Sequence, residues 1–184
     1  MIKSFKGAFS FLLNAPKTKA DVFKGEDGFE KSKEFFKLLG NPQNLYPTIH
    51  IAGTSGKGTV AHMIASILTS HSRSNHTLVS PHVYSLKERI LIDSKQISEK
   101  DFVKALNSII PVYEKLDKEN QTPTYFETLL AMGFVSANSP EYMVVETGLG
   151  GLLDTTNTID RKDKICVITP IGFDHMHILG NTLE

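Results

Sequence analysis

The segment Gly53-Thr54-Ser55-Gly56-Lys57-Gly58-Thr59 carries the residue types that a phosphate site needs. Glycines let backbone N–H groups approach a phosphate, a lysine supplies a mobile cation, and the start of a helix adds oriented donors. The segment departs from the usual GxxxxGK[ST] loop, because Ile51 replaces the first glycine and Gly58 stands where Ser or Thr would bind magnesium. The flanking strand and helix patterns supply the context that this motif requires. We therefore predict phosphate binding, against the alternative of a structural glycine turn.

Polar residues follow the ends of three further predicted strands. They are Ser80-Pro81-His82, Glu146-Thr147-Gly148, and the segment Pro170-Ile171-Gly172-Phe173-Asp174-His175. In an open parallel sheet, ligands collect outside the carboxyl ends of the strands. We therefore expect four strand ends, at Ala52, Val79, Val145 and Thr169, to converge on one edge.

Glu146 is the carboxylate that the residues favour for a metal ion or for orienting the attacking group. It follows the apolar run 142–145, where an unpaired charge would be costly. The alternative is a glutamate that simply surfaces at a strand end. Ser80 offers an oxygen for magnesium, although a turn or capping serine is commoner. His175 and His177 resemble metal ligands only weakly, and His177 is expected at the surface.

Other polar residues have plainer interpretations. Thr124 and Glu127 fit a helix capping box. Arg89 fits either a bidentate contact with a substrate carboxylate or a solvated face, and the residues leave both open. Cys166, inside an apolar run, is expected to be an inert buried thiol. His71 and His76 flank a polar turn and are expected at the surface.

The elements that must position these residues alternate between strand and helix patterns. Strands are predicted at 48–52, 77–79, 90–92, 142–145 and 165–169, and the last two read as central strands covered on both faces. Helices are predicted at 29–39, after the loop at 57, across 102–116 and at 124–137, with Pro111 expected to kink or split the third. This alternation predicts an α/β fold with a mostly parallel sheet and flanking helices.

At the start of the chain, Phe5, Phe9, Leu12 and Leu13 recur at helical spacing and predict an amphipathic helix. A weak signal peptide is the alternative, disfavoured by the short apolar stretch and the poor cleavage site at 14–16. The polar stretch 17–28 is assigned no element.

Composition limits the classes of function. The 184 residues carry 20 basic and 20 acidic side chains, so no general field holds nucleic acid or a membrane surface, and we expect neither as a partner. No apolar run is long enough to span a bilayer. The single cysteine excludes a disulfide framework and fits a reducing compartment, so we expect a cytoplasmic protein. We also expect a monomer.

Five segments in register resemble the folylpolyglutamate synthases and their bifunctional relatives with dihydrofolate synthase activity, within the Mur ligase superfamily. They are IHIAGTSGKGT, SPHVYSLKERI, TYFE, VVETGLGGLLDTTN and ITPIGFDHMHILGNTLE. The resemblance implies an ATP-dependent amide ligase that joins glutamate to a folate or to dihydropteroate through an acyl phosphate. It implies a Mur-ligase-type ATPase domain, of which residues 1–184 would be the N-terminal portion. Another Mur-type amino-acid ligase, or a non-catalytic nucleotide-binding module, is the alternative.

The resemblance also assigns roles to residues. Lys57 and the amides of the glycine loop would hold the ATP phosphates, and Ser80, Glu146 and His175 match the magnesium ligands. His82, Arg89, Phe126 and Asp154 fall in segments that line the folate or pterin region. Ser55 replaces the usual Asn and Leu152 the usual Arg. The arginine's contact is therefore in doubt, and the catalytic lysine and glutamate-binding domain of the family would lie beyond Glu184.

Overall fold

A six-stranded mixed sheet forms the centre of the molecule, in the order β4-β3-β2-β5-β1-β6. The computed structural model describes residues 1–16 and 25–183. The strands are β1 Thr48–Ala52, β2 Asn75–Leu78, β3 Ile90–Ile92, β4 Lys95–Gln96, β5 Tyr142–Glu146 and β6 Ile165–Ile168. The helices are α1 Phe5–Asn14, α2 Glu26–Leu38, α3 Lys57–Ser70, α4 Glu99–Lys118, α5 Tyr125–Ser136 and α6 Met176–Leu179.

The α/β class predicted from the alternation is confirmed. Strands β2, β5, β1 and β6 run parallel, while β3 and β4 form an antiparallel edge beyond β2. Because β1 and β2 flank β5, the chain crosses over through α3 between two strands that are not neighbours. The carboxyl ends of the four parallel strands therefore lie at one edge.

Helices cover both faces of the sheet. Helix α3 packs on one face, where Ala61 lies against Ile51, Val79 and Val144. The larger core lies on the other face, between the sheet and helices α1, α2, α4 and α5. Side chains alternate along a strand, so consecutive residues of β1 and β5 belong to opposite layers.

Helix starts follow the local sequence closely. Thr124 caps α5, where its hydroxyl accepts a hydrogen bond from the Glu127 N–H and the Glu127 carboxylate accepts one from the Thr124 N–H. The capping box is thus confirmed. Pro111 does not split α4, which stays one helix because its apolar face is buried along its whole length. The packing of that face offsets the backbone hydrogen bond that proline cannot make.

Three expectations about burial are wrong. Within residues 1–16 and 25–183, β6 pairs with β1 alone; Ile165 and Ile168 are exposed rather than covered on both faces, and Cys166 is an exposed rather than a buried thiol. His76 is only 2% exposed and lies 3.3 Å from the Ser136 hydroxyl.

Helix α1 buries the predicted Leu12 together with Ala8, while the predicted Phe9 and Leu13 are exposed. Helix α3 buries the small side chains Ala61 and Ala65, and its Met63 and Ile67 are exposed.

The strand predicted at 77–79 begins two residues earlier and ends one residue earlier, as β2. The helix predicted at 29–39 begins three residues earlier, as α2. Most of the polar stretch 17–28 lies outside the described residues. Within the described parts of the chain, none of the helices has the length and apolar composition that crossing a bilayer requires.

Candidate active site

The glycine loop 53–59 connects β1 to α3 and places a helix N-terminus at the carboxyl edge of the sheet. Gly53 has φ +136°, and a side chain there would overlap Thr169 at the end of β6. Gly56 caps α3 with φ +86°. Both positions therefore need glycine. The first N–H groups of α3 have no carbonyl partner within the helix, which suits them to an anion.

Lys57 occupies the first turn of α3, and its ammonium lies over the loop. Its Nζ donates to the carbonyl oxygens of Gly53 at 2.9 Å and Thr54 at 3.3 Å. The cation is thus held by neutral acceptors at the mouth of the loop and is available to an anionic ligand.

The loop is also fastened to the segment that follows β6. The N–H groups of Thr54 and Ser55 donate to the Pro170 carbonyl, and the Thr54 hydroxyl bonds to the backbone of Gly172. These bonds set the loop relative to the predicted ligand His175, three residues further on.

Glu146 ends β5 beneath the glycine loop and is only 6% exposed. Its Oε2 accepts a hydrogen bond from the Ser80 N–H at 2.7 Å, and the Gly58 N–H also donates to the carboxylate. Burial raises its pKa, and these donors together with Lys57 and Arg89 oppose that rise. The alternative of a glutamate surfacing at a strand end is wrong.

Gly58, the residue that departs from the usual phosphate loop, lies against the same carboxylate. A Cβ at this position would lie 3.4 Å from both carboxylate oxygens of Glu146, which is ordinary van der Waals contact. The serine oxygen missing from the loop has a counterpart in Ser80, whose backbone is bonded to Glu146.

The predicted magnesium ligands fall into two groups. Ser80 and Glu146 lie together and offer the oxygen atoms that a hard cation prefers. His175 precedes α6 in the left-handed conformation with its side chain about half exposed, and it lines a cavity together with Ser80. Among residues 1–16 and 25–183, no cluster of three or more His, Cys, Asp or Glu side chains is placed to share a metal. His177 is exposed, as expected.

A cavity of about 590 Å³ opens beside Ser80, between α2, α5 and the loop 148–155. It is lined by three of the predicted substrate residues, Arg89, Phe126 and Asp154. A second cavity, of about 350 Å³, lies beside the glycine loop and is lined by Gly53, Thr54 and Lys57. Both cavities share the wall residues Gly148, Leu149 and His175.

Arg89 is partly buried in the wall of the larger cavity rather than on a fully solvated face. Its Nε donates to His82 Nδ1 at 2.9 Å, and the guanidinium lies 5.5 Å from the centre of the Tyr125 ring. Burial lowers the pKa of Arg89, while Tyr125 and Glu146 oppose that change. Burial and the Arg89 charge also lower the pKa of His82, which keeps the imidazole neutral as an acceptor. His82 thereby orients a cation that faces the cavity.

Asp154 is buried at the far wall and is surrounded by donors. Its Oδ1 accepts from the Thr156 N–H at 2.9 Å and the Thr156 hydroxyl at 2.5 Å, and its Oδ2 accepts from the Leu149 N–H at 2.9 Å. The Gly148 N–H also donates to it. Burial raises the pKa of Asp154, and these four hydrogen bonds oppose the rise. The carboxylate thus fixes the loop 148–156.

Two buried polar contacts were not predicted from the sequence. Glu127, besides capping α5, accepts a 2.5 Å hydrogen bond from Ser32 of α2, which also lies 3.2 Å from the Thr155 hydroxyl. His50 of β1 contacts Thr156 and Thr147. The signal for His50 was a titratable residue inside an apolar strand. Ser32 gave none, because its partners are 95 and 123 residues away.

Comparison with known proteins points to one group. The profile of the Mur ligase middle domain matches residues 51–184. The dihydrofolate synthase/folylpolyglutamate synthase of Mycobacterium tuberculosis is 42% identical over 153 residues, which are 78% of this chain and 31% of that protein. A structure of the Mycobacterium tuberculosis folylpolyglutamate synthase complexed with ADP and AMPPCP superposes with TM-score 0.81 at 35% identity, covering 96% of this chain and 38% of that one.

An FPGS–AMPPCP–folate complex superposes with TM-score 0.87 at 28% identity, covering 98% of this chain and 43% of that one. The chain therefore spans less than half the length of each of these proteins.

Proposed function

Because this chain belongs to the Mur ligase middle-domain family, we propose that it contributes the nucleotide and acceptor sites of an ATP-dependent ligase that joins glutamate to a folate or to dihydropteroate. The observation that carries this proposal is the shared wall of the two cavities. The glycine loop lines one cavity, the partly buried Arg89 lines the other, and the two cavities meet at Gly148, Leu149 and His175. That arrangement suits phosphoryl transfer from a nucleotide to an acceptor carboxylate.

The smaller cavity is proposed to receive the ATP phosphates. The amides at the start of α3 would bind phosphate oxygens, and Lys57 would leave the carbonyls of Gly53 and Thr54 to neutralise the charge. Ser80, Glu146 and His175 would hold magnesium, which neutralises charge on the transferred phosphoryl group when bound. The backbone bonds from Ser80 and Gly58 keep the Glu146 carboxylate at the loop.

The larger cavity is proposed to receive the pteridine-bearing acceptor. Phe126 offers an aromatic wall and Arg89 a cation for an acidic group of the acceptor. His82 orients Arg89, and Asp154 fixes the loop behind the cavity. The family resemblance extends to these residues, and the position of Arg89, Phe126 and Asp154 in the lining of one cavity supports the assignment of those three.

The proposed reaction has two steps. An acceptor carboxylate oxygen attacks the γ-phosphorus of ATP and the bond to the β-phosphate oxygen breaks, which gives an acyl phosphate and ADP. The amino group of glutamate then attacks the acyl carbon, loses a proton, and releases inorganic phosphate as the amide forms. Lys57 and the loop amides stabilise the charge that develops in the first step. We assign this activity to the whole protein, as a cytoplasmic monomer, with residues 1–184 forming part of its ATPase domain.

Release of ADP by the full-length protein tests the proposal. ADP is expected only when glutamate and either a folate or dihydropteroate are both present with magnesium and ATP. ADP release at the same rate with and without a folate or dihydropteroate contradicts the proposal. Dependence on a different carboxylate or amino acid would instead assign the protein to another Mur-type ligation.

A further inference from the structure

A buried chain of three polar side chains, His50, Thr156 and Asp154, runs from β1 to the wall of the larger cavity, and Thr147 also contacts His50. His50 is 6% exposed, and its Nε2 lies 2.8 Å from the Thr156 hydroxyl and 3.0 Å from the Thr147 hydroxyl. The Thr156 hydroxyl lies 2.5 Å from Asp154 Oδ1. Thr147 and Thr156 are almost fully buried, so these groups must satisfy one another.

The directions of these hydrogen bonds follow from the number of protons available. A threonine hydroxyl has one proton, and Thr156 donates it to the Asp154 carboxylate. The Thr156 oxygen must then accept at its contact with His50, so Nε2 of His50 carries a hydrogen. Burial and the nearby charge of Lys164 lower the pKa of His50 to about 4, which keeps the ring neutral near pH 7. Nδ1 is then unprotonated.

We propose that His50 is a positioning residue for the acceptor cavity: its Nε2–H donates to the Thr156 oxygen, so that the Thr156 hydroxyl proton is directed at the Asp154 carboxylate. Asp154 in turn holds the N–H groups of Gly148 and Leu149, which form the wall between the two cavities. Loss of the His50 donor frees the Thr156 hydroxyl and weakens the hold of Asp154 on that wall. The inference rests on the proposed function only for its kinetic consequence.

The effect is expected on the acceptor side because of the alternation of side chains in β1. Ile51 packs beneath α3 with Ala61, on the face that carries the glycine loop. His50 points to the opposite face, where its partners belong to the loop 147–156. Gly148 and Leu149 line both cavities, but Asp154 lines the larger cavity and not the smaller one. A change at His50 therefore leaves the phosphate loop and Lys57 in place, and the larger effect is expected on the acceptor.

Two substitutions in the full-length protein distinguish loss of the Nε2–H donor from loss of the imidazole ring. His50→Leu removes the Nε2–H, whereas His50→Gln supplies an amide N–H at a similar reach. We expect His50→Leu to raise the KM for the acceptor about tenfold, the effect of one lost buried donor. The KM for ATP should change by less than about twofold. His50→Gln should restore most of the acceptor KM.

Thr156→Val breaks the same chain from its other end and serves if His50→Leu does not fold. It should raise the acceptor KM in the same way, and Thr156→Ser, which keeps the hydroxyl, should not. A wild-type acceptor KM in both His50→Leu and Thr156→Val overturns the inference. Equal increases in the KM values for acceptor and ATP also overturn it, because they indicate general damage to the fold.

A nitrogen-15 NMR measurement tests the inference without turnover. In uniformly labelled protein at pH 7, the His50 ring should show a protonated Nε2 and an unprotonated Nδ1, assigned by the signals that disappear in His50→Gln. The opposite tautomer, or a doubly protonated ring, refutes the proposed chain. If the tautomer is as expected but the wild-type protein shows no acceptor-dependent ADP release, the proposed function fails and the hydrogen-bond chain stands.

Discussion

Lys57 illustrates how far single residues can be interpreted without a structure. Its neighbours, a strand and an amphipathic helix, indicated that the lysine follows a phosphate loop, and it lies in the first turn of α3 as that pattern requires. Glu146 was singled out because a charge after an apolar run needs partners, and the Ser80 and Gly58 N–H groups are those partners. His50 was missed because its partners, Thr147 and Thr156, lie about a hundred positions away in the sequence.

Lys57→Ala removes the mobile cation from the glycine loop. We expect kcat/KM for ligation in the full-length protein to fall by about 10²-fold or more, since one charge-stabilising donor is lost from the site. Steady-state ADP release measures the effect. Lys118→Ala, at the exposed end of α4, is the matched control and should retain wild-type activity. Unchanged turnover in Lys57→Ala would remove the lysine from the proposed chemistry.

Glu146→Gln keeps the shape of the side chain but removes its charge. The amide also presents N–H groups where the Ser80 and Gly58 N–H groups need an acceptor. We expect the magnesium concentration for half-maximal activity to rise about tenfold or more, because a negatively charged oxygen ligand is lost. Titration of ADP release with magnesium measures it, and Glu141→Gln, at an exposed ion pair with Arg73, is the control. An unchanged magnesium requirement would exclude Glu146 as a ligand.

At the scale of elements, whether a segment forms a strand or a helix was more predictable than which strands pair with one another. The apolar run that forms β6 predicted a strand, but a run of this kind does not state whether a further strand pairs beside it. Within residues 1–16 and 25–183, β6 pairs with β1 alone, and three of its four side chains are exposed. The sheet order depends on contacts between distant segments, which periodicity does not record.

Helix α4 shows the opposite error, in which a local rule was outweighed by packing. Proline in a helix interior costs about 3 kcal/mol. Six side chains of α4, from Phe102 to Leu116, are nevertheless buried against the core. Their burial keeps the helix continuous through Pro111, so the split that the proline rule allowed does not occur.

Thr124→Ala tests the capping of α5, the helix that carries Phe126 and Glu127 to the cavity. The substitution removes the acceptor for the Glu127 N–H, so we expect the free energy of unfolding to fall by about 1 kcal/mol. Urea denaturation measures the change. Ser70→Ala, in the last turn of α3, should stay within about 0.5 kcal/mol of wild type. Equal values for the two variants would show that the cap contributes nothing.

Across the whole molecule, a formal charge of zero coexists with a site suited to anions. The cations Lys57 and Arg89 both oppose the rise that burial causes in the pKa of Glu146. The balanced composition offers no general basic field, so phosphate binding depends on local geometry. The arrangement of that geometry, with two cavities sharing one wall, required the structure.

The whole fold should lose stability in mild acid because it buries neutral histidines. Burial lowers the pKa of His76 to about 4, against 6.5 for an unperturbed histidine, although the Gly133 carbonyl and Asp93 oppose the shift. Between these values the unfolded chain binds a proton that the folded chain does not, so stability falls as the pH drops from about 6.5 to 4. The shift corresponds to roughly 3 kcal/mol for His76, and His50 acts in the same direction.

Asp154 and Glu146, whose pKa values are raised by burial, act in the opposite sense, so the contribution of His76 is obtained by difference. The free energy of unfolding of wild type and of His76→Gln should be measured by urea denaturation between pH 4 and 7.5. The variant should lose less stability on acidification, because it has no imidazole to charge. His71→Gln, at an exposed turn, should follow the wild-type profile. Parallel profiles for wild type and His76→Gln would show that the buried imidazole does not control the acid sensitivity of the fold.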